Sequence, residues 1–178
     1  MADNKISNLL VRPLNQDDLK LVLTWRNHPE VRRHMYTQHE IGMEEHQRWF
    51  DRSQGDPRKH LLLYESDAHP LGFVNFSAVR DGGIAEWGFY TSPEAPKGSG
   101  RKLGWLALEY AFERLDFHKI CGEALGGNAR SIRMHSLLGF KQEGVMRDQY
   151  FDGEQYHHVV CFGLLRSEWR LNSKSDRK

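Results

Sequence analysis

The chain has 178 residues, and 25 Lys and Arg against 24 Asp and Glu leave a net charge of +1. That balance points away from nucleic acid or an anionic membrane as the main partner, since both reward a basic surplus. An apolar fraction of 39% with 11% aromatics argues against a disordered chain and suffices for one domain with its own core.

In chain order, NLLVRPL predicts a first short strand. NQDDLKLVLTWRN then predicts a helix, with Asn15 as cap, Asp17 and Asp18 in the first turn and leucines at helical spacing. His28-Pro29 breaks it, because proline disfavours a helical residue before it, and EVRRHM adds a short helical piece. GMEEHQRWFDRS is a second amphipathic helix, ended by QGDPR. KHLLLYES and LGFVNFSAV read as strands separated by DAHP, and GIAEWGFYTSP as a fourth strand with Gly88 in its middle. Glycine inside a strand marks a bulge or a close backbone approach. A helix from about Arg101 to Leu115, a strand at HKICGEAL and a helix at NARSIRMHSLLGF follow, the last capped by Asn128 and stopped by Gly139. GVMRDQYFDGEQYHHVVCFGLL supplies two strands joined at Asp152-Gly153, a hairpin signal. The order predicts an α+β (mixed α/β) domain with a largely antiparallel sheet, the strands flanking the glycine-rich loop pairing in parallel.

Two cysteines, Cys121 and Cys161, sit in separate apolar runs and form neither a disulfide framework nor a metal motif; both are expected to be small core residues. MADNKISNLL lacks the basic start and apolar stretch of a secretory signal, and no apolar run approaches the ~20 residues of a membrane span. The expectation is one cytoplasmic domain, 1–178, with a core from about 8 to 169 and a polar tail, 170–178, that frays.

The loop SPEAPKGSGRKLG, residues 92–104, places glycines at the mouth of a helix. A helix N-terminus leaves N–H groups without partners and carries partial positive charge, so glycines there can admit a phosphate. Lys97, Arg101 and Lys102 add charge. By itself the pattern fits either a surface loop or a phosphate cradle; it matches neither the P-loop nor GxGxxG. Further on, Asn128, Ser131 and His135 fall within about 60° of one another at ~100° per residue, a polar face that either meets solvent or serves a site.

Taken together, these features resemble the GCN5-related N-acetyltransferase (GNAT) superfamily, whose acetyl-CoA loop reads Q/R-x-x-G-x-G/A between a bulged strand and a helix. Here that register is Ala95-Pro96-Lys97-Gly98-Ser99-Gly100, with the first position departing. The resemblance implies a seven-stranded, mostly antiparallel sheet with a splayed parallel pair, strands 4 and 5, and about four flanking helices. It implies acetyl-CoA as co-substrate, no metal, and direct attack by an amine. Cofactor contacts are then expected from Phe89, Tyr90, Thr91, Lys97, Gly98, Ser99, Gly100, Arg101, Lys102, Asn128 and Ser131. A bulge near Gly88 to Tyr90 would free N–H groups to polarise the thioester carbonyl. Glu86 stands where many members place a general base, or is a hydrogen-bonded or solvent-facing strand residue. His135 replaces the family's usual tyrosine acid; it either protonates the leaving thiolate, as its reference pKa near 6.5 allows, or only positions the thiol.

WRNHPEVRRHM, EEHQRWF, GFYTSPEAPKGSGRKLG and the N…SI…H…LGF…EG pattern narrow this to a resemblance with the N-acetyltransferases of pseudaminic acid biosynthesis, over about residues 8 to 169. That resemblance implies acetylation of the 4-amino group of UDP-4-amino-4,6-dideoxy-N-acetyl-β-L-altrosamine, with Arg26, His46, Asn75 and Tyr90 holding the nucleotide sugar. The partner is then a small UDP-amino sugar, with no nucleic acid or membrane, and a homodimer is allowed. Protein N-termini of the ribosomal type remain an alternative acceptor. Polyamines fit less well, because WRNHPEVRRH is basic. A catalytically silent acyl-CoA-binding module is the alternative of a different class.

Overall fold

The computed structural model describes residues 8–175, with side chains described through residue 170; the expectations for the first seven residues and the last three of the tail lie outside this range. β1 (Leu9–Pro13) leads through a 3-10 turn (Gln16–Asp18) into α1 (Leu19–Asn27), α2 (Pro29–Arg32) and α3 (Met43–Gln54). Then come β2 (Lys59–Ser66), β3 (His69–Arg80), β4 (Ile84–Thr91), α4 (Ser99–Glu113), β5 (Lys119–Leu125), α5 (Ala129–Leu137), β6 (Lys141–Phe151), β7 (Tyr156–Leu165) and α6 (Arg166–Ser175). The seven strands form one sheet in the order β1-β2-β3-β4-β5-β7-β6. Every neighbouring pair is antiparallel except β4 and β5.

Local chemistry explains the boundaries. Asn15 accepts the Asp17 N–H, and Asp18 accepts the Asn15 N–H in return, closing a capping box. Arg12 clamps the same Asp18 at 2.7 Å and Glu65 at 2.8 Å, tying β1 and β2 to the entry of α1. His28 is extended, with ψ 133°, ahead of Pro29, as that dipeptide requires. Asp67 and Ala68, at φ 51° and 62°, make the two-residue turn between β2 and β3, both in the left-handed region such hairpins use. Gly139, at φ 89°, ends α5 while the Phe140 N–H reaches back to the His135 carbonyl.

α6 was not foreseen. It runs directly on from β7 through the segment expected to fray, and its Trp169 is buried against Trp105 and Phe112. With the single-turn α2, it raises the α-helices among the described residues to six. None of the described helices is long and apolar enough to cross a membrane.

The sheet buries both faces. On one, Leu62, Val74, Phe76 and Trp87 pack against Leu103, Ala107 and Leu108 of α4. On the other, Leu63 and Phe73 pack against Leu19, Val22 and Trp25 of α1 and Phe50 of α3. α4 presses close to α5, for a Cβ on Gly104 would stand 2.5 Å from Leu138.

The parallel pair positions the site. β4 and β5 share only three rungs, Ile84 with Lys119, Ala85 with Ile120 and Glu86 with Cys121. Beyond Glu86 and Cys121 both strands continue unpaired to each other, so the sheet opens between them.

Candidate active site

The opening is a cavity of about 490 Å³. One wall is the free edge of β4 from Trp87 to Thr91, another is β5 from Gly122 to Leu125, and α5 supplies Asn128, Ser131 and Met134. Gly100 closes the α4 end, while the turn after α2 brings Met35 and Tyr36 over the sheet. Glu86, Phe89, Tyr90 and Thr91 are therefore brought together in one wall.

The expected bulge at Gly88 is absent. β3 and β4 stay in register from Gly72–Thr91 to Ala78–Ala85, and their irregularity lies beyond Ala78. Gly88 is instead a close approach: a Cβ there would stand 2.8 Å from Asn75 Oδ1 on the neighbouring strand. The unpaired backbone of β4 comes from the splay. Asn75 abuts Gly88 and is not part of the cavity wall.

α4, fifteen residues long, begins after Gly98 at φ 90°, and no side chain caps it. Lys97, Arg101 and Lys102 are exposed around this helix start, while Ser99 is buried and donates its N–H to the Pro96 carbonyl at 3.1 Å. A Cβ on Gly100 would meet Met134 Sδ at 3.4 Å and Thr91 Cγ2 at 3.8 Å, ordinary contact distances that place this position between α5 and the end of β4. Asn128 caps α5 by accepting the Ser131 N–H at 3.1 Å. A helix start without a side-chain cap, three nearby cations and an open strand edge are groups that could hold a diphosphate and an extended arm.

His135 does not reach this cavity. It is 1% exposed, stacked on Phe162 at 4.5 Å and caged by Trp87, Phe89 and Phe140. Its Nδ1 lies 2.9 Å from the Ser131 carbonyl, and its Nε2 lies 3.2 Å from the Trp87 indole nitrogen. A carbonyl only accepts and an indole N–H only donates, so Nδ1 carries the proton and Nε2 is bare. Burial also pushes the imidazole below its ordinary pKa. The expected general acid thus has its one N–H already donated; in this position the ring supports the wall.

The lining also carries four carboxylates, Glu30, Glu86, Glu123 and Glu143, against Arg130 and His34, so the basic character of the WRNHPEVRRH segment does not carry into the lining. Of the four, Glu30 pairs with Arg33 and Glu143 with Lys119, each at 2.7 Å. Tyr36 donates its hydroxyl to Glu123 Oε2 at 2.6 Å. Cys121 and Cys161, expected in the core, are only partly buried in the same wall, because among the described residues no helix packs over the side chains of β5 and β7 that face away from α4. Burial pushes both thiols up, and neighbouring glutamates add to it. Among the described residues, no group of His, Cys, Asp or Glu is arranged to hold a metal ion.

Arg26 and His46 stand behind Tyr90 rather than in the cavity wall. Arg26 donates through Nη2 to the Thr37 carbonyl at 2.9 Å. His46 is 4% exposed and stacks on Trp49 at 5.0 Å. Arg26 Nη1 and His46 Nε2 are both buried without a hydrogen-bond partner. Burial holds both groups below their ordinary pKa, and each feels the other's field or Tyr90's. Burial likewise pushes the Tyr90 phenol up.

Tyr36 and Glu123 were missed. The signal for Glu123 was readable: in HKICGEAL it alternates with Cys121 and Leu125, on the face opposite Ile120 and Ala124. Tyr36 follows an irregular turn whose course no periodicity gives.

Residues 8–141 match the acetyltransferase (GNAT) domain model. The chain is 28% identical over 170 residues to the SPbeta prophage-derived uncharacterized N-acetyltransferase YokL of Bacillus subtilis (strain 168), covering 93% of this chain and 94% of the relative. It is 29% identical over 146 residues to the acetyltransferase PseH of Campylobacter jejuni (strain 81-176), covering 82% and 87%. The crystal structure of spermidine N-acetyltransferase from Vibrio cholerae in complex with CoA and spermine superposes with a TM-score of 0.85 at 22% identity, covering 91% of this chain and 98% of that one. The last likeness establishes a shared fold.

Proposed function

The chain belongs to the GNAT acetyltransferase family and is an N-acetyltransferase that uses acetyl-CoA, and from that premise we propose that its acceptor is the 4-amino group of a UDP-linked amino sugar, of the UDP-4-amino-4,6-dideoxy-N-acetyl-β-L-altrosamine type. The observation that carries this is the division of charge around one cavity. Glu86 and Glu123 line the cavity with no cationic partner among the described residues, as an incoming ammonium requires, and Arg26 Nη1, a buried guanidinium donor without a hydrogen-bond partner, lies beside Tyr90 of the same wall. An unmet buried donor costs about 1–3 kcal/mol. An acceptor with an anionic group as well as an amine repays that cost, and a nucleotide sugar has both. The similarity to PseH points the same way.

Bound acetyl-CoA supplies the activated acetyl group. Lys97, Arg101, Lys102 and the start of α4 hold its diphosphate, and the open edge from Phe89 to Thr91 pairs with its arm, with Asn128 and Ser131 opposite. Glu86 and Glu123 are the two carboxylates placed to take the proton of the attacking amine. His135 keeps the wall in shape. The protein works on free small molecules in this account.

The acidic lining by itself also favours a second reading, a polyamine acceptor. The two part on a binding measurement. Calorimetric titration of UDP into the enzyme saturated with CoA is expected to show binding that weakens about tenfold in Arg26→Met, the loss of one charge-assisted contact. Binding of spermidine with no binding of UDP would replace the sugar by the polyamine.

A further inference from the structure

We infer that Tyr36 and Glu123 form a proton relay that serves the departing thiolate, in place of His135, which does not reach the cavity. This rests on amine acetylation and on no particular acceptor. Both side chains line the cavity, joined by a 2.6 Å hydrogen bond from the phenol to the carboxylate. Tyr36 is also fixed from the far side: Tyr150 donates its hydroxyl to the Tyr36 carbonyl at 3.2 Å, and the two rings meet edge to face at 5.3 Å. The residue is thereby anchored to β5 and β6 although it stands on an irregular turn.

The electrostatics suit a donor that is released only when needed. Tyr36 is 51% exposed, and partial burial of the phenol, then the hydrogen bond and charge of Glu123, with Cys161 and Glu86 adding, push it above its ordinary range. It therefore keeps its proton while Glu123 is charged. Once Glu123 is protonated, the largest charge holding that proton is gone, and the phenol can pass it on.

The proton count closes. The amine nitrogen bonds to the acetyl carbon, the C–S bond breaks, and its electron pair leaves on sulfur. Glu123 takes the proton from the new ammonium, Tyr36 gives its own proton to the sulfur, and the proton on Glu123 crosses their hydrogen bond to the phenolate oxygen. One proton has moved from amine to thiol, and both residues are restored without any further reagent.

Tyr36→Phe and Glu123→Gln test this together with the double variant, using UDP-amino sugar, spermidine and a peptide N-terminus as acceptors. Tyr36→Phe is expected to lower kcat by about 100-fold with the acetyl-CoA KM within twofold, and the double variant to be no worse than Glu123→Gln alone, because relay members act as a unit. Spectroscopic titration of tyrosine absorbance gives a readout apart from turnover. One late-ionising tyrosine should vanish in Tyr36→Phe and ionise at lower pH in Glu123→Gln. A kcat within threefold of wild type in Tyr36→Phe, losses that multiply in the double variant, or a tyrosine titration blind to Glu123 would each overturn the relay. Turnover of none of the amines by the wild type would overturn the catalytic premise along with it.

Discussion

Trp87 donates its indole N–H to His135 Nε2 across 3.2 Å, directly behind Gly122 of β5. A Cβ on Gly122 would stand 2.5 Å from that Nε2 and 2.6 Å from the indole nitrogen. The pair therefore fits only because β5 carries no side chain at this point. Behind the cavity wall lies a closed hydrogen-bonded plug running from Trp87 through His135 to the Ser131 carbonyl.

Gly122→Ala should force that plug apart. The expected loss is about 1–3 kcal/mol, the range for overpacking a tight core, read as a shift of the urea midpoint with unchanged slope. Stability equal to wild type would mean that the ring pair moves freely, contrary to this packing.

His135→Phe separates support from proton transfer. It strands the Trp87 N–H in an apolar cage, so stability should fall by about 1–3 kcal/mol, while kcat stays within tenfold of wild type at temperatures where the variant is folded. A loss of a thousandfold or more in kcat from a folded variant would return His135 to the role of general acid.

Two buried imidazoles, His46 and His135, are held below their ordinary pKa chiefly by burial. The fold keeps them neutral, whereas the unfolded chain protonates them below about pH 6.5. The unfolded state then binds more protons, so stability is full above that pH and falls as pH drops toward the folded-state values. Thermal melts should show a decline setting in between pH 7 and pH 5, shallower in His135→Phe. A melting temperature flat across that window would contradict the neutral, buried placement.

Lys97→Ala and Lys102→Ala should each raise the acetyl-CoA KM several-fold, about 3–10, leaving kcat at saturating donor unchanged. Their effect should shrink as salt is added, since exposed cations act through a screened field. Equal loss at low and high salt would argue that the lysines support structure rather than phosphate.

The succession of strands and helices along the chain, the hairpin at Asp152-Gly153, the caps at Asn15 and Asn128 and the glycine-led start of α4 were legible because each rests on chemistry local to a few residues. The orientation of His135 was not. Helical spacing put it on one face with Asn128 and Ser131, but which neighbour that face meets depends on Trp87 and Gly122, which lie on two other strands. The same limit hid Cys121 and Cys161. Their apolar flanks suggested a core, yet among the described residues no helix packs over the face of β5 and β7 that carries them. α6 escaped because one buried Trp169 in a polar segment is too weak a signal until α4 is there to receive it. The charge of WRNHPEVRRH misled for a related reason: a segment's net charge does not say which side chains reach the cavity, and here Glu30 and His34 do while Arg26 stands behind Tyr90.

The acceptor is the centre of the account, and initial rates of thiol release from acetyl-CoA test it most directly, with the UDP-4-amino sugar, spermidine and a ribosomal-protein N-terminal peptide offered in parallel at equal concentration. The expected result is a kcat/KM for the UDP-amino sugar at least 100-fold above the other two. Preferential turnover of spermidine or the peptide, with the sugar inert, would contradict it.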